Sequence, residues 1–501
     1  MPENYWSEES SYSPLDPLES LLPSDEEDEE SELSVVPTST SKTLNYRYDG
    51  RRRKAALVLT VIWTGTIALH FVSWGAWLVI GLTTLMGVHA LRIFLSQPAP
   101  PVPPLSDAEI ADTAALPHVS LLVAAKNEEA VIADLVHGLC TLDYPTECYD
   151  LWVVDDNSSD RTPAILSDLS KIYPQLHTLR RGTDATGGKS GALNQVLPLT
   201  KGDIVAVFDA DAKVSQDLLR RVLPLFRQER VGAVQVRKAI LQAEYGGEMA
   251  DNLWIQGQAS EMLVDGFFQE HRVAIGGTGE LRGNGQFLRR TALEDCGGWN
   301  EETITDDLDL TIRLHLHQWD IDVLPDPPVL EEGVTRAIDL WHQRNRWGEG
   351  GYQRYLDYWQ PILRNRMGTK KTIDLAVFWI SQYFVATSSI PDLLMAVLRN
   401  RLPIFTPVTL LTIMLSVVGM FLGFCRQQRQ LKRAALGASA NNTISLPPGL
   451  LLHNLFRSIR DTLYMCHWFL VMATIIMRIS VRPKRLKWVK TIHQGISEPS
   501  S

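Results

Sequence analysis

Several familiar signatures are absent from this chain, and each absence narrows the reading. It carries no basic patch laced with aromatic residues, so a nucleic-acid partner is not expected. It has no glycine-rich dinucleotide fingerprint and no phosphate loop. The run Gly187-Gly188-Lys189-Ser190-Gly191 lacks the upstream glycine at the required spacing, so a nucleotide is not held in the ATPase manner. Only five cysteines (Cys140, Cys148, Cys296, Cys425, Cys466) are spread over 501 residues. Their odd number and wide scatter fit no zinc pattern and read as reduced thiols. The first fifty residues contain no apolar segment, which argues against an ordinary secretory signal at this end.

Those residues hold instead 13 acidic side chains against Lys42 and Arg47, including the run Asp25-Glu26-Glu27-Asp28-Glu29-Glu30. Rich in Ser, Pro and acid, residues 1–50 have too little to bury and are expected to form a disordered acidic tail. The tail accounts for the formal net charge of −10; the rest of the chain is close to neutral.

Two apolar regions follow. Residues 55–95 are apolar apart from Arg92, and about 20 residues suffice for one span, so a hairpin turning near Trp74-Gly75 is expected. Arg51-Arg52-Arg53-Lys54 just before it marks the cytoplasmic side. Residues 372–480 hold further spans near Ile373–Leu398, Ile404–Cys425 and Leu463–Ile479. A shorter, more polar helix near Leu450–Arg460 suits the membrane interface. Residues 351–371 read as another amphipathic interface segment, and 481–501 as a basic cytoplasmic tail. The stretch 426–433 and the stretch 482–490 are both basic, and three rear spans cannot put both on the cytoplasmic side. A fourth crossing or a re-entrant segment around 446–460 would reconcile them.

Between the greasy regions, residues 117–350 alternate strands and helices. Val119–Ala124, Leu151–Val154 and Ile204–Phe208 are nearly continuous apolar strands, and Glu129–Leu139 and Asp160–Tyr173 are helical. That pattern predicts an α/β domain with a mostly parallel sheet covered on both faces. Ligands in such sheets collect at the carboxyl ends of the strands. Asp155-Asp156 and Asp209-Ala210-Asp211 follow two of those strands directly.

Asp209 and Asp211 can jointly hold a hard divalent cation and bridge it to a diphosphate; a polar turn is the plainer alternative. Asp155 and Asp156 can accept hydrogen bonds from a nucleoside, or cap the next helix. Glu128 and Lys189 are further nucleotide contacts on the same reasoning. Asp307 is the candidate general base, because a hydroxyl nucleophile needs a carboxylate in reach; crowding by Asp306 and Asp309 would raise its pKa. A helix N-terminus capped by Thr305 explains the same residues. Arg344 and Arg346 can hold a pyrophosphate and Trp347 can stack on a sugar or acceptor, or all three form an Arg/Trp belt at the headgroups.

Taken together, Asp155-Asp156, Asp209-Ala210-Asp211, Asn284-Gly285-Gln286-Phe287-Leu288-Arg289-Arg290, Thr305-Asp306-Asp307 and Gln343-Arg344-Asn345-Arg346-Trp347 resemble the ordered signature of membrane-bound family 2 glycosyltransferases. That family includes cellulose, hyaluronan and mannan synthases. Its fourth motif usually reads Thr-Glu-Asp; here Asp306 stands for the Glu and Asp307 is kept. The resemblance implies a GT-A type domain and an inverting transfer that yields a β-linkage. It also implies a donor site in which Asp155, Asp156, Glu128 and Lys189 hold the nucleotide and Asp211, with Asp209, holds Mg²⁺. Asp307 would act as base, with Gln343, Arg344, Arg346 and Trp347 lining the diphosphate and acceptor site. The segment Gly348–Trp359 is similar to that of the cyanobacterial members that use a lipid acceptor. This implies UDP-glucose as donor and the sn-3 hydroxyl of diacylglycerol at the bilayer as acceptor. A processive glycan synthase is the alternative.

Overall fold

The computed structural model describes residues 50–246, 249–436 and 445–481; most of the acidic tail and the basic segment after Val481 lie outside the described residues. One-turn helices aside, the chain begins with α1 (Arg51–Phe71) and α2 (Gly75–Phe94). The α/β domain follows as β1 (Val119–Ala125), α3 (Ile132–Cys140), β2 (Tyr149–Asp155), α4 (Thr162–Leu169), β3 (Leu176–Arg180), α5 (Gly188–Val196), β4 (Ile204–Phe208) and β5 (Val231–Ile240). It continues with α6 (Leu253–Ala274), β6 (Gln286–Arg289), α7 (Asp306–Leu316), β7 (Asp320–Glu331) and α8 (Ala337–Leu363). The rear half is α9 (Thr369–Trp379), a π-helical turn at Ile380–Phe384, α10 (Val385–Arg399), α11 (Thr406–Leu436) and α12 (Pro448–Val481).

The seven strands form one sheet in the order β3-β2-β1-β4-β6-β5-β7. β1, β2, β3 and β4 run parallel, and so do β5 and β7; β6 lies antiparallel between β4 and β5. The sheet is therefore mostly parallel with one reversed strand. Burial follows the period of two that strands impose. Leu121, Val123, Leu151, Val153, Ala206 and Phe208 pack on one face, and Leu122, Val154, Val205 and Val207 on the other. The pairing of Ala125 with Asp155 and of Val123 with Phe208 brings the ends of β1, β2 and β4 level, so the loops bearing Glu128, Asp155-Asp156 and Asp209 open on one edge.

Helix α8 runs unbroken past residue 351, and Tyr352, Gln353, Arg354, Leu356, Asp357 and Tyr358 are buried. Residues 351–358 are thus packed between the α/β domain and the apolar helices, while Trp359, Gln360 and Leu363 are exposed. Contact there is close. A Cβ at Gly350 would run into Thr305 Oγ1, and one at Gly348 into Ile475.

Among the described residues, five helices are long and apolar enough to cross a membrane: α1, α2, the Thr369–Arg399 unit, α11 and α12. α12 behaves differently from the rest. Arg457 Nη2 donates to Gln256 of α6 at 3.3 Å, Ser260 to Asp461 at 2.6 Å, and Trp468 Nε1 to Glu261 at 2.8 Å. Near its other end Arg478 reaches Asn345 of α8, and Arg52 Nε donates to the Ser480 carbonyl at 3.2 Å. From residue 457 to 480, α12 therefore touches α6 and α8 as well as the apolar helices α1, α10 and α11. Its polar Asn454, Ser458, Asp461 and Thr462 face inward, while Leu452, Phe456, Ile459, Leu463 and Leu470 are exposed, the arrangement of a helix with its apolar stripe turned to lipid. If α12 lies along the membrane surface, four crossings remain and the stretch 426–433 faces the same side as the end of α12. Cysteines placed singly at exposed Lys171 and exposed Val481, in a cysteine-replaced background, should be labelled by an impermeant thiol reagent from the same side of the membrane. Labelling from opposite sides would show that α12 crosses.

Candidate active site

The loops after β1 and β2 lock each other by short polar contacts. Asn127 N donates to Ser158 Oγ at 2.8 Å and Ser159 N to Asn127 Oδ1 at 2.8 Å. Asn127 and Asn157 both take left-handed backbone, which asparagine tolerates better than most residues. Glu128 is buried, and its N–H donates to Thr162 at 2.8 Å. Asp155 accepts from Ser158 N at 3.0 Å, closing the turn before α4, and lies 3.3 Å from Arg180. Asp156 receives Arg181 Nη1 at 2.7 Å, with Lys126 at 3.7 Å. Arg181 is buried and also donates to the carbonyls of Gly188, at 3.0 Å, and Thr186. It ties the loop of Asp156 to the loop that presents Lys189.

Lys189, at the start of α5, forms an ion pair with Asp209 at the end of β4. Burial alone would lower the lysine pKa, but Asp209, Asp306 and Asp307 outweigh it and hold the ammonium above its usual range. Asp209 N donates to Asn284 Oδ1 at 3.2 Å, and Asp211 accepts from Glu332 N at 2.9 Å. Both aspartates are half-buried, two residues apart. Magnesium is usually held by one or two carboxylates together with substrate phosphates. The hard oxygen pair of Asp209 and Asp211 fits that mode, and no cluster of three potential metal ligands occurs among the described residues.

Asp307 lies in the first turn of α7, where Thr305 occupies the cap position without a side-chain cap bond. Its Oδ1 accepts from Leu308 N at 2.8 Å, and its Oδ2 faces the Gly283 backbone, 3.4 Å from where a Cβ would stand. Burial first and repulsion from Asp306 second push its pKa up to about 6, against the pull of Lys189 and Arg282. Arg282 is itself anchored to Asp265 and Glu280, each at 2.7 Å. Asp309, three residues from Asp306, is committed elsewhere: it binds Arg313, Tyr358 and Asn300 within α7 and its surroundings.

The Gln343–Trp347 motif divides. Arg346 is half-buried; burial lowers its pKa, and Asp209 and Asp307 oppose that fall, which places all three within electrostatic reach. Arg344 is fully buried, with Nη2 2.7 Å from Glu261, Nη1 2.6 Å from Gln343 Oε1, and its guanidinium 4.1 Å above the Trp347 ring. Trp347 also carries Lys238 at 5.1 Å. The structure therefore gathers Lys189, Asp209, Asp306, Asp307 and Arg346 into one cluster, with Asp211 beside it. It sets Asp155, Asp156 and Glu128 along the same edge and turns Arg344, with Gln343, toward α6 and α12. Arg181, Arg282 and Glu280 were not singled out in the sequence, where nothing but their charge distinguishes them.

Residues 117–350 match the family model described as glycosyltransferase like family 2. The β-monoglucosyldiacylglycerol synthase of Trichormus variabilis is 56% identical over 498 residues, covering 99% of this chain and 100% of that one. The chain belongs to the family 2-like glycosyltransferases. A second relative, the β-monoglucosyldiacylglycerol synthase of Synechocystis sp., is 53% identical over 450 residues and 90% of each chain. Among solved structures, the mannosyltransferase PcManGT from Pyrobaculum calidifontis, in complex with GDP-Man and Mn²⁺, is 20% identical over 83% of this chain and 99% of that one, at a TM-score of 0.46.

A carboxyl whose pKa is raised in the folded state binds its proton more tightly there than when unfolded, so its ionised form costs stability above that pKa. In this glycosyltransferase Asp307→Asn should therefore unfold at a higher temperature than the wild type at pH 8, and the difference should shrink as pH falls through about 6 toward 4. A gap that is constant with pH would show that Asp307 is not the strained carboxylate.

Proposed function

We propose that the enzyme transfers glucose from UDP-glucose to the sn-3 hydroxyl of 1,2-diacylglycerol, giving β-monoglucosyldiacylglycerol with inversion at the anomeric carbon. One observation carries the chemistry: a lysine, an arginine and a carboxylate of raised pKa stand around Asp209 at the strand ends, where a sugar nucleotide binds in such a sheet. The acceptor reading is supported by the names of two relatives that align over nearly the whole chain. A processive β-glycan synthase is not favoured, because the similarity to those relatives extends beyond the catalytic domain through the membrane helices.

In this reading Asp156, Asp155 and Glu128 bind the uridine end, and Lys189 and Arg346 hold the diphosphate. Asp209 and Asp211 would hold Mg²⁺, which supplies charge neutralisation to the diphosphate when bound. Asp307 takes the proton from the acceptor hydroxyl as its oxygen attacks the anomeric carbon opposite UDP. The new carbon–oxygen bond forms while the bond to the phosphate oxygen breaks, and UDP departs with the electron pair. Arg346 stabilises the growing charge on the leaving group. Trp347, half-buried beside this point, offers a stacking face to the sugar or the acceptor glycerol. Arg51-Arg52-Arg53-Lys54 in the first turn of α1 supports a catalytic domain on the cytoplasmic face.

Purified enzyme given Mg²⁺, diacylglycerol and either UDP-glucose or UDP-galactose should release a single-sugar lipid with the glucose donor. A lengthening polymer would favour the glycan synthase instead. Asp307→Asn should lower turnover by about 10³-fold or more while leaving UDP binding close to wild type. The wild-type rate should fall as pH drops below about 6, since the base must be ionised. Equal losses of UDP binding and turnover in Asp307→Asn would contradict the assigned role. Asp211→Ala should weaken UDP binding in Mg²⁺ and leave it nearly unchanged in chelator; weakening of the same size in both would remove Asp211 from the metal site.

A further inference from the structure

By charge alone Arg51 belongs with Arg52, Arg53 and Lys54 to the basic collar that precedes a span. Its surroundings separate it from them. Arg52 and Arg53 are exposed, whereas Arg51 is buried. Its Nε lies 2.9 and 3.0 Å from the two carboxylate oxygens of Asp357, and its Nη2 lies 2.6 Å from Oδ2. The remaining arm, Nη1, donates to the Glu302 carbonyl at 2.7 Å. A two-armed, planar cation is needed to hold a carboxylate and a carbonyl at once.

The two partners are informative. Asp357 lies on α8, the helix that also carries Arg346 and Trp347. Glu302 opens the loop that leads through Thr305 to Asp306 and Asp307. That loop is held by α8 at two more points. Gln353 Oε1 accepts from Ile304 N at 3.2 Å and from Thr303 Oγ1 at 3.4 Å, and Thr305 fills the space left by Gly350. The first residue of the first apolar helix thus closes a three-way junction with the helix of Arg346 and the loop of Asp307.

We infer that Arg51 is a positioning residue for transfer: by binding Asp357 and the Glu302 carbonyl together, it sets Asp307 at its working distance from Arg346. The inference rests on Asp307 being the base. It also gives the collar a division of labour, with Arg51 spent on the active site while Arg53 remains at the surface. Membrane insertion of α1 then fixes catalytic geometry as well as anchoring the chain.

The test removes the clamp without stranding a buried charge. The double variant Arg51→Met/Asp357→Leu replaces the ion pair by apolar side chains, a change that is often neutral for stability. In the full-length protein in detergent, its thermal midpoint and its KM for UDP-glucose should stay near wild type, while kcat falls about 100-fold, the scale of a roughly 1 Å misplacement. Arg53→Gln, assayed beside it, should keep wild-type kcat. A double variant with wild-type kcat would overturn the inference. So would a loss of kcat matched by a loss of UDP-glucose affinity or of the folded state, because Arg51 would then only join helices. Should the wild type ignore diacylglycerol and glycosylate another acceptor, the acceptor reading fails, and the same kcat comparison on that acceptor still decides the clamp.

Discussion

Everything near the site is built over one buried carboxylate. Glu280 is fully buried and held by Arg272 and Arg354 at 3.3 Å each and by Arg282 at 2.7 Å. Burial alone would raise its pKa, yet Arg354, Arg282 and Arg272 hold it far below the usual carboxylate range. Removing one partner of such a pair costs about 3–5 kcal/mol, against about 0–1 kcal/mol for an exposed ion pair. A whole domain is stable by about 5–15 kcal/mol, so losing one member of this cluster removes a large part of that margin. The arginines come from α6, from the loop before β6 and from α8. Arg272 passes the connection on to Asp374 of α9 at 2.9 Å, and Asp374 binds His89 of α2 at 3.0 Å. The catalytic domain is therefore not tethered to its apolar helices by a flexible linker. It shares charges with them.

That rigidity explains how two like charges are kept together. Asp306 and Asp307 are neighbours in the first turn of α7, where a helix N-terminus favours negative charge. Lys189 and Arg282 add positive charge on either side, but burial still leaves Asp307 with a pKa of about 6. A base with that pKa is mostly ionised near neutrality and still basic enough to accept a proton in the transition state. A carboxylate at its ordinary pKa would be ionised as well but a weaker acceptor. The strain of holding Asp307 charged is sustained by the ionic floor beneath it.

Much of the domain was legible from residue pattern. β1, β2 and β4 are apolar on both faces, and β2 and β4 run straight into acid, so strand type and ligand edge could be read together. β3 could not: in Leu176-His177-Thr178-Leu179-Arg180 only Leu176 is buried, because an edge strand has little to cover. The reversal of β6 depends on pairing with β4 and β5 across some 80 and 50 residues, which no local signal announces. The long polar start of α12 was read as a separate interface helix because its polarity broke the apolar run. In the structure that polarity is the face buried against α6 and α11, a tertiary fact that inverts the usual rule of apolar inside. Arg51 was legible only as positive charge, since its partners lie 251 and 306 residues away.

The arginines of Gln343-Arg344-Asn345-Arg346-Trp347 show a different kind of miss. Read as a linear motif, both seem suited to a diphosphate. Once the segment is a helix, residues two apart project about 200° from one another and cannot line the same pocket. Arg346 takes the side of Asp209 and Asp307; Arg344 must take the other, where Glu261 neutralises it and Trp347 and Trp468 cover its faces. Trp347 is one step from Arg346 and three from Arg344, so it stands at the border and touches the second guanidinium at 4.1 Å. One arginine thus faces the cluster of Asp209 and Asp307 while the other fastens that helix to α6 and α12. In the proposed reaction the motif needs both, because a helix that delivers a cation to a leaving group must itself be held still.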